Sequence, residues 1–191
     1  MLLVVTSPAL AAITVTGTKH DLSANPSIKG GLSACAYCHG AHNNTVTQIP
    51  LWGRTDDSNE YTLYASTTIR ATVESPGTMT RVCLSCHDGT IAFDAVLGSI
   101  GTSGNDMNTL FPDSPAIIGR DLSDDHPVGV SVSTNSAGLR DAATITGAGL
   151  RLYAGKVECA SCHDVHGSGG YASFLRLDPA NSKLCQTCHI K

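Results

Sequence analysis

All eight cysteines of this chain fall into four copies of one pattern: Cys35-Ala36-Tyr37-Cys38-His39, Cys83-Leu84-Ser85-Cys86-His87, Cys159-Ala160-Ser161-Cys162-His163 and Cys185-Gln186-Thr187-Cys188-His189. C-x-x-C-H is the attachment signature of c-type haem. Two thiols add to the two vinyl groups on one haem edge, and the next residue reaches the iron from one side. The two-residue gap lets a single turn of backbone span the vinyls. The same cysteines could make two Cys₄ zinc sites, a redox-active dithiol or four disulfides. Each of these readings leaves a histidine after every pair unexplained, and a dithiol motif would be single and set in a βαβ unit.

The remaining composition fits a chain organised by its cofactor. Three Phe, one Trp and five Tyr in 191 residues are too few for an ordinary aromatic core. Sixteen acidic against twelve basic side chains give no electrostatic reason to bind nucleic acid or anionic lipid. Gly, Ser and Thr crowd residues 98–149, which favours turns. The expected fold is therefore mostly irregular coil, with short helices at the haem motifs and few strands, one of them at Ile13–Thr16. Residues 1–12 partly resemble an export signal, with an apolar run at Leu2–Leu10 and small residues Ala9 and Ala11, although the positive n-region is missing. The expected mature unit is a single one, residues 13–191, with motif pairs at 35–87 and 159–189 separated by a loop-rich segment, 88–158. No later stretch is apolar and long enough to span a bilayer.

Eight histidines are present. Four belong to the motifs as proximal iron ligands, His39, His87, His163 and His189. His20, His42, His126 and His166 remain, one for each vacant axial position, which implies four haem c groups with bis-His iron. Met79 and Met107 are the competing ligands, although isolated Met residues more often fill gaps. Motifs one and three continue as Cys-x-x-Cys-His-x-x-His, ending at His42 and His166. Three residues of helix advance only about 4.5 Å, so His42 and His166 stay on the proximal side of their own haem and must ligate another. By reach, His42 is assigned to the haem of His87 and His166 to that of His189. His20 and His126 then complete motifs one and three, in either order.

Several stretches carry a resemblance: Lys19–Ser23, Cys35–Asn43, Pro50–Trp52, Cys83–Thr90, Asp125–Pro127, Glu158–Gly167, Phe174–Arg176 and Cys185–His189. In these the chain resembles the doubled CxxCH multihaem cytochromes, and among them the OmcE-like tetrahaem extracellular nanowire cytochromes. The resemblance implies an electron-transfer protein rather than an enzyme, with redox partner cytochromes. It also implies head-to-tail stacking into an extracellular filament, with one distal histidine donated by the neighbouring subunit. His20, on an N-terminal arm separated from Cys35 by Pro26 and Gly30-Gly31, is the candidate donor. A monomeric periplasmic shuttle is the alternative, and an oxidoreductase subunit would need an open iron position that the histidine count does not leave.

Overall fold

With so few large apolar side chains, the backbone has to be organised by capping, turns and short pairings. In the computed structural model the described residues are 14–25, 32–40, 51–54, 60–90, 114–132, 138–167 and 169–190. They are mostly coil, with four short α-helices, three single-turn 3₁₀ helices and a two-stranded sheet: α1 Thr78–His87, β1 Val130–Ser131, α2 Ala142–Gly147, β2 Lys156–Val157, α3 Cys159–Cys162 and α4 Lys183–Cys188. None of these helices is long and apolar enough to cross a membrane.

Helix α1 carries motif two at its C-terminal end and buries Thr80, Leu84 and Ser85. Thr80 and Leu84 are four residues apart and so share one face. The face is turned to α3, where the Thr80 hydroxyl accepts from the Cys159 N–H at 3.1 Å. The N-terminus of α1 has no cap of its own. Glu158 supplies one from across the fold, its two carboxylate oxygens each 3.2 Å from the Gly77 N–H. A β-carbon at Gly77 would collide with that carboxylate. Glu158 is also the N-cap of α3, in a reciprocal capping box with Ser161. One buried carboxylate thus closes the N-termini of the helices that carry motifs two and three.

Strands β1 and β2 pair antiparallel, Val130 opposite Val157 and Ser131 opposite Lys156. Gly129, at φ +72°, carries the chain into β1 against the Glu74 carbonyl, where a side chain would not fit. Helix α2 begins at Asp141, whose carboxylate accepts from the Thr144 N–H at 2.8 Å, and buries Ile145. Among the described residues, the buried apolar side chains are Tyr37, Trp52, Leu84, Leu122, Val130, Ile145 and Leu150, matched by seven buried polar or charged ones. That is not an ordinary hydrophobic core.

Three expectations change. Motif one is not helical but a run of turns, closed by the Cys38 and His39 N–H groups donating to the Cys35 carbonyl. Thr14–Thr16 forms no strand; the Thr14 N–H finds the His166 carbonyl at 3.3 Å instead of a sheet. The segment 88–158 holds both strands and α2, because Asp141 and Gly129 supply a cap and a turn that composition alone hides. Residues 1–13 lie outside the described residues.

Candidate haem centres

Each motif histidine is held by its backbone. His39 bridges Trp52, His163 bridges Leu175 and His189 bridges Leu139, all antiparallel. The three clamps share one bonding pattern. The residue after the histidine donates to one flank of the partner (Gly40 to Leu51, Asp164 to Phe174, Ile190 to Gly138) and the other flank donates back (Gly53 to Cys38, Arg176 to Cys162, Arg140 to Cys188). The flank before each partner is in the left-handed region: Leu51 at φ +59°, Phe174 at +58° and Gly138 at +86°. Two of the three are not glycine, a strained choice that recurs at functional sites. Motif two is held differently, by Ile118 and Gly119 N–H groups donating to the His87 carbonyl at 2.8 and 3.2 Å.

The ring edges are held as well. His87 Nδ1 lies 2.7 Å from the Ala116 carbonyl and His163 Nδ1 2.7 Å from that of Ser173. His126 Nδ1 is 3.1 Å from the Pro127 carbonyl and His166 Nδ1 is 3.4 Å from Asp164 Oδ1. A carbonyl or carboxylate beside Nδ1 fixes the tautomer that protonates it, so the lone pair of Nε2 is left for a metal.

Rings from distant parts of the chain then face each other. His20 and His87 have centroids 6.0 Å apart, His39 and His166 6.2 Å, and His126 and His189 6.3 Å. Two imidazoles bound on opposite sides of one metal put their centres about 6 Å apart, from two metal–nitrogen bonds of about 2 Å plus the ring radii. Every pair joins one CxxCH histidine to one spare histidine. The residues present therefore fit haem, in which the protein supplies only two axial donors and the macrocycle the rest. Among the described residues, no three His, Cys, Asp or Glu side chains converge as a zinc site would require.

The partners differ from those assigned by reach. His166 faces His39, not His189, because Gly167 at φ +76° closes a turn onto Asp164 and swings His166 away from motif three. His20 faces His87 of its own chain. It sits in a built turn, where the Asp21 carboxylate accepts from Gly17 N–H at 2.9 Å and from the Ser23 hydroxyl, and its ring meets the edge of Phe174 at 4.8 Å. Burial lowers its pKa, and nearby His87 and His163 lower it further. His126 faces His189 rather than His39 or His163, the two left open to it, but it also lines a cavity of about 200 Å³ with Leu84, Leu122, Cys159, Cys162 and His163. His42 and Met107 lie outside the described residues, while the Met79 carbonyl accepts from the Cys83 thiol.

None of the eight cysteines is joined in a disulfide. Burial, with Cys86 nearby, pushes the Cys38 thiol up to about 11, and burial with Cys188 nearby does the same for Cys162. The Cys83 and Cys159 sulphurs lie close enough to interact, which raises the pKa of the first thiol and lowers that of the second. Motifs two and three are thus adjacent through sulphur as well as through Glu158.

Residues 153–191 match the doubled CXXCH motif family. No curated protein matches the sequence. The match and the paired histidines together support a multihaem c-type cytochrome acting in electron transfer. The clamps were not visible in the sequence, although Pro50–Trp52 and Phe174–Arg176 stood out there for another reason.

Proposed function

We propose that this chain is a tetrahaem electron carrier, with haem c at each CxxCH motif and bis-His iron throughout. The observation that carries this reading is the set of three facing histidine pairs at 6.0–6.3 Å. Bound haem supplies one-electron chemistry, each iron accepting and releasing a single electron. The chain's own residues fix the axial geometry. Cys35 and Cys38, Cys83 and Cys86, Cys159 and Cys162, and Cys185 and Cys188 would provide the covalent anchors. His39 with His166, His87 with His20 and His189 with His126 would hold the iron. By count, His42 is left for His163. Held rings on both sides keep geometry unchanged between oxidation states, so transfer needs no rearrangement.

Head-to-tail assembly into an OmcE-like extracellular filament rests on the sequence resemblance. A monomeric periplasmic shuttle, in which His20 serves His87 of its own chain, is the second reading. Export is part of both. Mass spectrometry of the exported protein should show four covalent haems, and electron paramagnetic resonance of the oxidised form should show only low-spin iron. His42→Ala should then create one high-spin centre. A high-spin iron already present in the unsubstituted protein would instead indicate an open position, and with it an enzyme.

A further inference from the structure

His20 differs from the other spare histidines described. Its Nδ1 is buried and, among the described residues, has no hydrogen-bond partner. His126 Nδ1 lies 3.1 Å from the Pro127 carbonyl, and His166 Nδ1 lies 3.4 Å from the Asp164 carboxylate, an ion-pair contact rather than a hydrogen bond. Asp164 is itself fixed: its Oδ1 accepts from the His166 N–H at 3.1 Å, and its Oδ2 lies 3.0 Å from Arg176 Nη1. Arg176 also donates from Nε to the Ala160 carbonyl at 2.9 Å.

The second nitrogen of a coordinating imidazole tunes the metal. Donation from it to an acceptor pushes electron density toward the iron, most strongly when the acceptor is charged, and stabilises the ferric state. An imidazole with no acceptor is the weaker donor.

Resting on the proposed bis-His reading, we propose that the chain sets unequal potentials through these second nitrogens: the iron between His20 and His87 is reduced first, and the iron between His39 and His166 later. Asp164 is a positioning residue that lowers the potential of the second centre through His166. Each reduction takes one electron from an external one-electron donor, such as a reduced partner cytochrome, and converts one ferric to one ferrous iron. Electrons within the chain then settle at the His20 centre before the His166 centre fills.

The test is a redox titration of the four-haem protein with dithionite, followed by electron paramagnetic resonance and nuclear magnetic resonance. Contacts to the Phe174 ring, 4.8 Å from His20, identify that centre without any substitution. The ferric signal of the His20 centre should disappear at a more positive potential than that of the His166 centre. In the ferrous protein the His20 Nδ1 proton should resonate upfield of those on His126 and His166. Asp164→Asn should raise the midpoint of the His166 centre alone and leave it low-spin, and Asp164→Glu should restore it. The inference is overturned if the His20 centre titrates at or below the other, if its Nδ1 proton shows a strong hydrogen bond, or if Asp164→Asn moves all midpoints alike. Loss of ligation is a separate outcome: if His20→Ala keeps every iron low-spin, the axial assignment itself is wrong.

Discussion

What orients an imidazole at one edge decides how it stands over a metal at the other. The planes of the facing rings differ by 22° for His39 and His166, 48° for His20 and His87, and 75° for His126 and His189. Near-parallel axial rings split the iron orbitals and give a rhombic low-spin resonance; near-perpendicular rings leave them almost degenerate and give a strongly axial one. The oxidised protein is therefore expected to show both types together. His126→Ala should remove the axial component and leave the rhombic one. Identical resonances from every iron would contradict these ring angles. At this scale the sequence was legible where the chemistry is local. The vinyl spacing dictates Cys-x-x-Cys-His, so the attachment residues needed no structure. The partnership of His39 with His166 was not legible, because it depends on a turn at Gly167 and on the path of the chain between them.

Elements here are too short to be stable by themselves; isolated helices of this length are marginal in water. Their stability comes from what one lends another, and Glu158 shows it most clearly by closing α1 and α3 at once. Gly77 is the N-cap of α1, a position where glycine is already preferred to alanine. Gly77→Ala is expected to lower the midpoint of thermal unfolding, since its β-carbon would also displace the Glu158 carboxylate. An unchanged or raised midpoint would refute that role. Leu84→Ala, which empties a position only 1% exposed, should cost about 2–5 kcal/mol in denaturant unfolding. The sheet is tied to the segment before α1 by Glu74, which lies 2.7 Å from Lys156 Nζ and accepts from Ser131. The hydrogen bond from Lys156, then that from Ser131, holds the Glu74 pKa below its usual value. A depressed carboxylate adds stability above its unfolded pKa and loses it as pH falls through the folded one. Amide exchange in β1 and β2 should accordingly quicken below the usual carboxylate range, and quicken less in Glu74→Gln. Coil with short helices at the motifs could be foreseen from turn-rich composition and the lack of aromatics. The clamps could not, since they are backbone bridges, and the left-handed Leu51 and Phe174 carry no residue-type signal.

For the whole molecule, the small apolar core implies that folding waits on the cofactor. Protein made without haem attachment is expected to unfold without a cooperative transition and to bind a hydrophobic dye, as apo metal domains do. A sharp calorimetric transition in that material would show that the polypeptide suffices. Size-exclusion chromatography and electron microscopy of the loaded protein separate polymer from monomer. The facing pairs also have a topological meaning. With iron between them, His20 is tied to His87, His39 to His166 and His126 to His189, so the chain is closed into three loops, each overlapping the next along the sequence. Such closures restrict the unfolded chain most when the loops are long. The middle tie links the outer two, and the proposed His42–His163 tie would do so beside it: cutting both would leave two separately closed halves, while cutting either outer tie would release only one end. Pulled from its termini, the loaded protein should therefore yield as an interlocked series of metal staples, with the His39–His166 and His42–His163 staples together deciding whether its halves part together or one by one.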